Sequence, residues 1–544
     1  MSLPEPSCIH YGAIRAALLE RREIALLDVR EEDPHAQAHP LFAAHLSLSR
    51  LELEVYTRLP RRDAPIVTLD GGEGLAERAA RRLIELGYSN VSVLAGGIEG
   101  WRAAGGELFR DVNAPSKAFG ELVDATCHPP ALAAAEVKAL LDENSNVVVV
   151  DVRRYDEYQT LNIPGSISVP GAELVLRVPE LAPNPATRVI VNCAGRTRSI
   201  IGAQSLVNAG LPNPVAALRN GTIGWTLAGF GKHLEHGQTR RFGPVAESTR
   251  ADAAARARTV AGRAGVKWTT LADIDPWRAQ DGRTTYFIDV RDPAEYAAGH
   301  LPGFLSAPGG QLVQETEMTA TVRGARIVLA DDDGVRANMT ASWLAQMAWD
   351  VYVLTPPEPA AWSETGAWRA PLPPLPSIPA THRIGPHTLR EWLASDDAPV
   401  VIDLTTYASY RRGHIPGAWY ALRAQYREAL ARLPKASRYV LTCLFGLLRD
   451  YAQAEFAAAA AADGGEVYAL DGGTHAWQAA GLPLETEERL ASPAIDRYRR
   501  PYEGADNSAE AMQAYLDWEF GLVEQLRRDG THHFKVIQER QASE

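Results

Sequence analysis

The residues of this 544-residue chain best equipped for chemistry lie at 193–199. There a β-branched run, Val189-Ile190-Val191, leads into Cys193-Ala194-Gly195-Arg196-Thr197-Arg198-Ser199. A cysteine thiolate is a strong nucleophile, and local positive potential raises its population. Successive amides from Ala194 to Ser199 can curl into an anion-binding nest, and Gly195 permits the backbone angles such a curl needs. A helix beginning near Arg198–Ser199 adds its N-terminal partial charge. Arg196 and Arg198 add full charges. Arg196 is expected to face the entrance, and Arg198 to hold the loop or an anionic group of a substrate. No histidine partner is obvious, so the chemistry indicated is nucleophilic covalent catalysis by Cys193 itself.

The elements that must position this loop recur along the chain. An apolar run ending in aspartate appears at Asp28, Asp151, Asp289 and Asp403, and each is followed by a tryptophan, Trp101, Trp225, Trp362 and Trp477, 73 or 74 residues later. The repeat is therefore a whole domain, not a short solenoid motif. Within each unit, short runs such as VVVVDV and RVIVNC read as buried parallel strands. Stretches such as 75–87 and 198–210 read as helices closed by glycine. Strand, helix, strand in this order implies a parallel sheet covered on both faces. Such sheets bind ligands outside the carboxyl ends of their strands, where Cys193 falls. Residues 111–131 read as a linker, 250–265 as a polar helical connector and 370–380 as a polyproline segment. The Ala-rich run 457–462 reads as helix.

The sister loops differ in chemistry. Asp70 and Asp331 each lie 42 residues after their unit's aspartate, as Cys193 does. A carboxylate cannot do the work of a thiolate nucleophile and opposes an anionic substrate, so the first and third units are expected to be inactive. The acids Asp331–Asp333 read as a solvated turn and not as a metal site. In the fourth unit Cys443 and Arg449 are six positions apart, with apolar Leu444, Phe445, Leu447 and Leu448 between them. This pair is a candidate second site, although a packed, non-catalytic loop is favoured.

The sequence DVR…EY…IPG, a strand ending in C-x4-R, and a closing GG- or NG-x-x-x-W turn together resemble the rhodanese domain. The whole chain is similar to bacterial proteins with four rhodanese-like units. The resemblance implies four α/β domains, each a mostly parallel sheet with helices on both faces. They are placed at 1–112, 128–240, 266–370 and 381–486, followed by a helical tail at 487–544. It implies a sulfurtransferase of the thiosulfate type that carries a sulfane sulfur on Cys193, with Ala194, Gly195, Arg196, Thr197, Arg198 and Ser199 around the substrate and no cofactor. The partners implied are a small sulfur donor and a thiol or cyanide acceptor. Two other readings remain: a phosphatase- or arsenate-type anion enzyme, and a persulfide-carrying or redox interaction module without turnover.

Bulk properties narrow the setting. A net charge of −12 argues against a general grip on nucleic acid or anionic membrane. Four scattered cysteines argue against zinc and against a disulfide framework. A reducing cytoplasm is the expected setting, since MSLPEPSCIHYG shows no basic-then-apolar signal pattern. Cys8 reads as incidental and Cys127 as a linker cysteine. His300 and His414 read as structural, and His236, Arg240 and Arg241 as a solvated segment that could reach the rim. In the tail, NSAE at 507–510 offers an N-x-x-E cap for an amphipathic helix bearing Met512, Leu516, Phe520 and Val523. That helix is expected to pack across domains or to make a homodimer contact.

Overall fold

The computed structural model describes residues 5–279, 282–504 and 506–538. Each unit folds its β-branched runs into a five-stranded sheet, with its strands in the order first, fifth, fourth, second, third. In the second unit these are Ala131–Leu132, Val215–Leu218, Arg188–Asn192, Val147–Asp151 and Ile167–Ser168, all paired in parallel. Val150, Val189, Val191 and Leu206 are fully buried between sheet and helices. Each such side chain contributes about 1.5–3 kcal/mol on burial. The register sets Asp151 beside Asn192. From these two strands the chain departs to opposite sides of the sheet. Their carboxyl ends therefore flank the crevice where strand order reverses, the usual ligand position in such sheets.

At this crevice a buried ion pair recurs. Arg30 bonds Asp28 at 2.5 Å, Arg153 bonds Asp151 at 2.8 Å and Arg291 bonds Asp289 at 2.7 Å. Arg153 also donates to the Leu161 carbonyl at 2.6 Å, so the pair ties a strand end to the turn that follows. The fourth unit has Thr405 where the others have arginine. Its Asp403 accepts the Thr405 amide at 2.9 Å on one oxygen, while the other oxygen, fully buried, has no partner.

The segment expected to be a linker is a packed helix instead. Ala114–Cys127 buries Ala118, Phe119 and Val123 and lies against the helix Thr197–Asn208. The connector helix forms over Glu247–Arg263, and the Ala-rich run continues the helix Leu447–Ala460. The tail is two helices, Ala509–Phe520 and Leu522–Asp529, and the cap is Ser508, which accepts the Ala511 amide at 3.1 Å, not Asn507. The turn at Gly521 sets Phe520 apart from the buried Met512, Tyr515 and Leu516 and leaves it 53% exposed. Both tail helices pack within the chain, on the helix Ala114–Cys127. Units meet through buried ion pairs: Arg336 to Glu173 joins the third to the second at 3.0 Å, and Arg423 to Glu52 joins the fourth to the first at 2.5 Å. No helix among the described residues is long and apolar enough to cross a membrane.

Burial without an arginine pushes Asp403 up to about 6. A carboxylate raised in the folded state favours folding while protonated and costs stability once pH exceeds the unfolded value. The penalty is absent below about pH 4 and complete above about pH 6, and each tenfold difference in proton affinity between folded and unfolded chain adds about 1.4 kcal/mol to it. Asp403→Asn keeps the bond to Thr405 and removes the charge. It is expected to raise the thermal midpoint at pH 8 by a few degrees and to have a smaller effect at pH 5. A lower midpoint at pH 8 refutes the account.

Candidate active site

The central strand Arg188–Asn192 delivers Cys193 to the crevice, and the helix Thr197–Asn208 starts four residues later. Cys193 is 2% exposed. Its Sγ lies 3.3 Å from Ser199 Oγ, and the Ser199 hydroxyl donates to the Arg196 carbonyl at 2.9 Å. Burial pushes the Cys193 thiol above its ordinary value, while the Arg198 charge and the contacts with Ser199 pull it back. Positive potential therefore works here against desolvation, and in the closed resting site desolvation is the larger effect.

The two arginines have different work. Arg198 makes a two-pronged bond to Glu157, at 2.8 and 2.9 Å, and its charge acts on Cys193. The same guanidinium holds the Glu157 carboxyl at about 2. Arg196 does not face an entrance. It is 8% exposed and donates to Glu121 at 2.7 and 2.9 Å, to Asp124 at 2.7 Å and to Asn220 at 3.1 Å. Two carboxylates balance its charge, so Arg196 fixes the loop to the helix Ala114–Cys127. Sequence reasoning misses Glu121 and Asp124 because 111–131 reads as a linker. The apolar spacing of Ala118, Phe119, Leu122 and Val123 is the helical signal that could find them.

Gly195 and Arg196 both meet the tail, the Arg196 guanidinium lying 4.4 Å from the centre of the Phe520 ring. A Cβ at Gly195 would lie 3.2 Å from the Tyr515 ring and 3.6 Å from Glu519 Oε2. Tyr515 donates to the other oxygen of Glu519 at 2.7 Å, and burial pushes Glu519 up to about 7. The tail thus roofs the Cys193 loop. From the other side the loop is held by the turn that closes the unit. The Thr222 amide donates to the Cys193 carbonyl at 2.9 Å and the Ile223 amide to the Ala194 carbonyl at 3.0 Å. Gly221, at φ +55°, permits this approach, because a Cβ there would sit 2.3 Å from the Cys193 carbonyl oxygen. Trp225 below is fully buried.

The sister loops are occupied by their own side chains. Asp70 accepts the amides of Gly72 and Ala76, each at 3.0 Å, and Asp331 accepts those of Gly334 and Ala337 at 3.0 and 2.8 Å. In both, the side-chain oxygens fill the amide cradle. Of the acids at 331–333 only Asp332 faces solvent, its side chain 41% exposed, so the expected solvated turn is not what forms. Asp331 is fully buried and Asp333 is 7% exposed. Burial and Asp333 push the Asp331 carboxyl up, while Arg336 holds Asp333 down.

Cys443 is 5% exposed, and burial pushes its thiol up against hydrogen bonds from the Gly446, Leu448 and Arg449 amides. Arg449 bonds Asp450 at 2.9 Å and approaches Asp471 at 3.6 Å. Phe445, 64% exposed, stands at the rim with Leu444 and Leu447. Elsewhere, Cys127 ends its helix with Sγ 3.7 Å from the Ile537 carbonyl, and Cys8 is exposed in the edge strand Ser7–Ile9. His300 and His414 stack on Tyr296 and Tyr410 and donate to their carbonyls. His236 bonds the Thr160 carbonyl, Arg240 the Ser166 carbonyl and Arg241 Asp292, so none of the three is engaged at the Cys193 loop.

Comparison with known proteins agrees with this geometry. A family model described as rhodanese-like domain matches residues 15–104, 133–228, 277–355 and 385–480. A crystal structure titled as a thiosulfate sulfurtransferase from Pseudomonas aeruginosa is 65% identical, with a TM-score of 0.95 over 98% of this chain and 100% of that one. The thiosulfate sulfurtransferase GlpE of Coxiella burnetii (strain RSA 493 / Nine Mile phase I) is 30% identical over 86 residues, 16% of this chain and 78% of its own length. GlpE of Tolumonas auensis is 30% identical over 87 residues, 16% of this chain and 80% of its own.

Gly221→Ala tests the hold of the closing turn on the loop. An alanine at this left-handed position costs about 1–2 kcal/mol before the clash with the Cys193 carbonyl is counted. The variant is expected to melt lower and to let iodoacetamide alkylate Cys193 several-fold faster than in the parent. An unchanged midpoint and alkylation rate would refute this.

Proposed function

Because the chain belongs to the rhodanese-like domain family, we propose that it is a sulfurtransferase of the thiosulfate type whose turnover runs through a persulfide on Cys193. The observation that carries this reading is the pairing of a thiol with an acting loop charge, Cys193 with Arg198, at a strand end whose counterparts in units one and three are aspartates. The Cys193 thiolate attacks the outer sulfur of thiosulfate. A new S–S bond forms, the bond within thiosulfate breaks, and its electron pair leaves with sulfite. A nucleophilic acceptor, cyanide or a thiolate, then attacks the terminal sulfur and returns the electron pair to Cys193. Arg198 and the loop dipoles favour the anionic species on this path. Thr197 and Ser199 start the helix that supports the loop, the Ala194 carbonyl is held by the Ile223 amide, Gly195 makes room for Tyr515 without adopting the left-handed backbone expected of it, and Arg196 positions the loop through Glu121. The reaction sits in unit two, residues 128–240. The other units and the tail are scaffold and wall. A reducing compartment such as the cytoplasm suits a site that must return to a thiol.

Cys443 stands outside this cycle. Arg449 is engaged by acids, and the unpaired Asp403 carboxylate opposes a second anion beside it. The same engagement of Arg449 disfavours a phosphatase reading of the fourth loop.

After thiosulfate treatment, intact-mass analysis is expected to show one added sulfur atom on the wild-type protein and on Cys443→Ser, and none on Cys193→Ser. Steady-state transfer to cyanide should vanish in Cys193→Ser, whereas Cys443→Ser should retain most of it. Hydrolysis of an aryl phosphate is expected in none of the three. Equal masses for wild type and Cys193→Ser, or loss of transfer in Cys443→Ser alone, would overturn the assignment.

A further inference from the structure

Cys193 is 2% exposed, which puts its Sγ out of reach of a dissolved reagent while the site is closed. Access needs one of the elements over the loop to move. The closing turn is bound to the loop through the Thr222 and Ile223 amides, and the helix Ala114–Cys127 through Arg196 and two carboxylates. The third cover is the first tail helix, Ala509–Phe520. It sets Tyr515 and Glu519 against Gly195, and Phe520 against Arg196. Its attachment is of a different kind. Among the described residues no hydrogen bond or ion pair joins this helix to another element. Ser508 caps it, Gln513 bonds Asp517 and Tyr515 bonds Glu519, all within the tail.

The second tail helix, Leu522–Asp529, is fastened to unit one. Arg15 donates to the Asp529 carbonyl at 2.6 Å, Gln525 to the Leu108 carbonyl at 2.8 Å, and Arg528 pairs with Glu107 at 2.7 Å. Gly521 joins the two helices, and a few residues at an element's end are enough to absorb a hinge rotation. The first helix is held down by apolar and cation–π contact. Met512, Tyr515 and Leu516 pack on Ile223 of the closing turn. The buried Lys117 ammonium lies 5.1 Å from the Tyr515 ring and 5.5 Å from each of the Tyr502 and Trp518 rings. Glu519 works against this hold. It is fully buried on the packed face, and its Oε2 has no hydrogen-bond partner. Burial pushes its carboxyl up, and the charges facing it are Lys117 and Glu121 from the helix Ala114–Cys127 and Arg196 from the loop. The seated helix bears the cost of an unsatisfied buried oxygen, which water removes when the helix lifts.

We propose that the helix Ala509–Phe520 is a gate over Cys193, swinging at Gly521, whose lifting admits reagents to the sulfur and whose seating shuts water out of the loop. Its role in turnover rests on the Cys193 persulfide reading, whereas the motion itself needs no reaction. Tyr515 is the latch, since its ring fills the space over Gly195 and faces Lys117. Glu519 is a positioning residue: it weakens the seated state, so that the gate opens without the rest of the fold giving way. Closure over a reacting sulfur and opening for exchange is the ordinary division of labour in lids of this kind.

Two measurements on the full-length protein test the gate. By hydrogen exchange and mass spectrometry, amides of Ala509–Phe520 are expected to exchange about tenfold or more faster than those of Leu522–Asp529. Alkylation of Cys193 by iodoacetamide, followed on its own peptide, is expected to be about tenfold or more faster in Tyr515→Ala, which loses the latch ring. It is expected to be about tenfold slower in Glu519→Met, where an apolar side chain of similar length removes the unsatisfied oxygen. A merely structural role for Glu519 would loosen the site and speed alkylation instead. Glu519→Met should also melt no lower than the parent, so it decides the matter even where Tyr515→Ala fails to fold. First-helix amides as slow as those of the second helix, or a Cys193 alkylation rate in Glu519→Met equal to or above that of the parent, overturns the proposal. A wild-type protein that gains no sulfur on Cys193 from thiosulfate, with exchange and alkylation as expected, refutes the sulfurtransferase reading and leaves the gate in place.

Discussion

The structure depends on a contact between two turns far apart in sequence. The turn that closes a unit donates its amides to the carbonyls of the loop at the central strand's end. Ile98 bonds Asp70 at 2.9 Å, Thr222 bonds Cys193 at 2.9 Å, and Thr474 bonds Cys443 at 3.1 Å. The approach requires a glycine in the left-handed region at Gly97, Gly221 and Gly473, where a Cβ would fall 2.5, 2.3 and 1.9 Å from the loop carbonyl oxygen. The buried tryptophan after each glycine anchors the turn. This contact fixes where the loop begins, and the loop then fixes where its helix starts. In the third unit prolines at 356, 357 and 359 occupy the closing turn. There the Asp331 loop is bound by its own carboxylates and by Arg336.

With the frame held constant, chemistry changes by single residues. A cradle of loop amides needs an anion. Units one and three fill it with carboxyl oxygens of their own, from the side chains of Asp70 and Asp331. Unit two places a thiol there instead, pushed up by burial and pulled back by the Arg198 charge beside it. Unit four shows the opposite balance: three amides face Cys443, yet the arginine of the crevice is gone and Asp403 is left uncompensated. Thiol, cationic neighbour and paired crevice aspartate therefore meet in one unit.

What the sequence disclosed follows from this division. The four units, their parallel sheets and the aspartates at the Cys193 position were legible because all are fixed by spacing within one unit. Asp28 to Trp101 and Asp151 to Trp225 keep nearly the same interval because the same turn must return to the same loop. The fate of Arg196 was not legible. Read locally it is a loop cation, and only the helix Ala114–Cys127, which belongs to no unit, supplies Glu121 and Asp124 to neutralise it. The burial of Asp333 was hidden for the same reason, since Arg336, which holds it, is drawn to Glu173 of another unit. The roof formed by Tyr515 and Glu519 left no trace in the motif at 193–199 beyond the bare Gly195.

These longer-range contacts tie the Cys193 loop to the rest of the chain. A loop whose cysteine is 2% exposed cannot choose its partners by its own side chains alone. Its surroundings must do so, and here they are built from elsewhere: a carboxylate pair from the helix between units, and a tyrosine and glutamate from the tail. The third unit contributes Arg336 to hold Glu173 beside the helix Leu174–Leu181 of unit two. In units one and three the Asp70 and Asp331 side chains accept the loop amides and hold the loop closed. The space around Cys193 is thus made of material from the helix between units, the tail and the sister units.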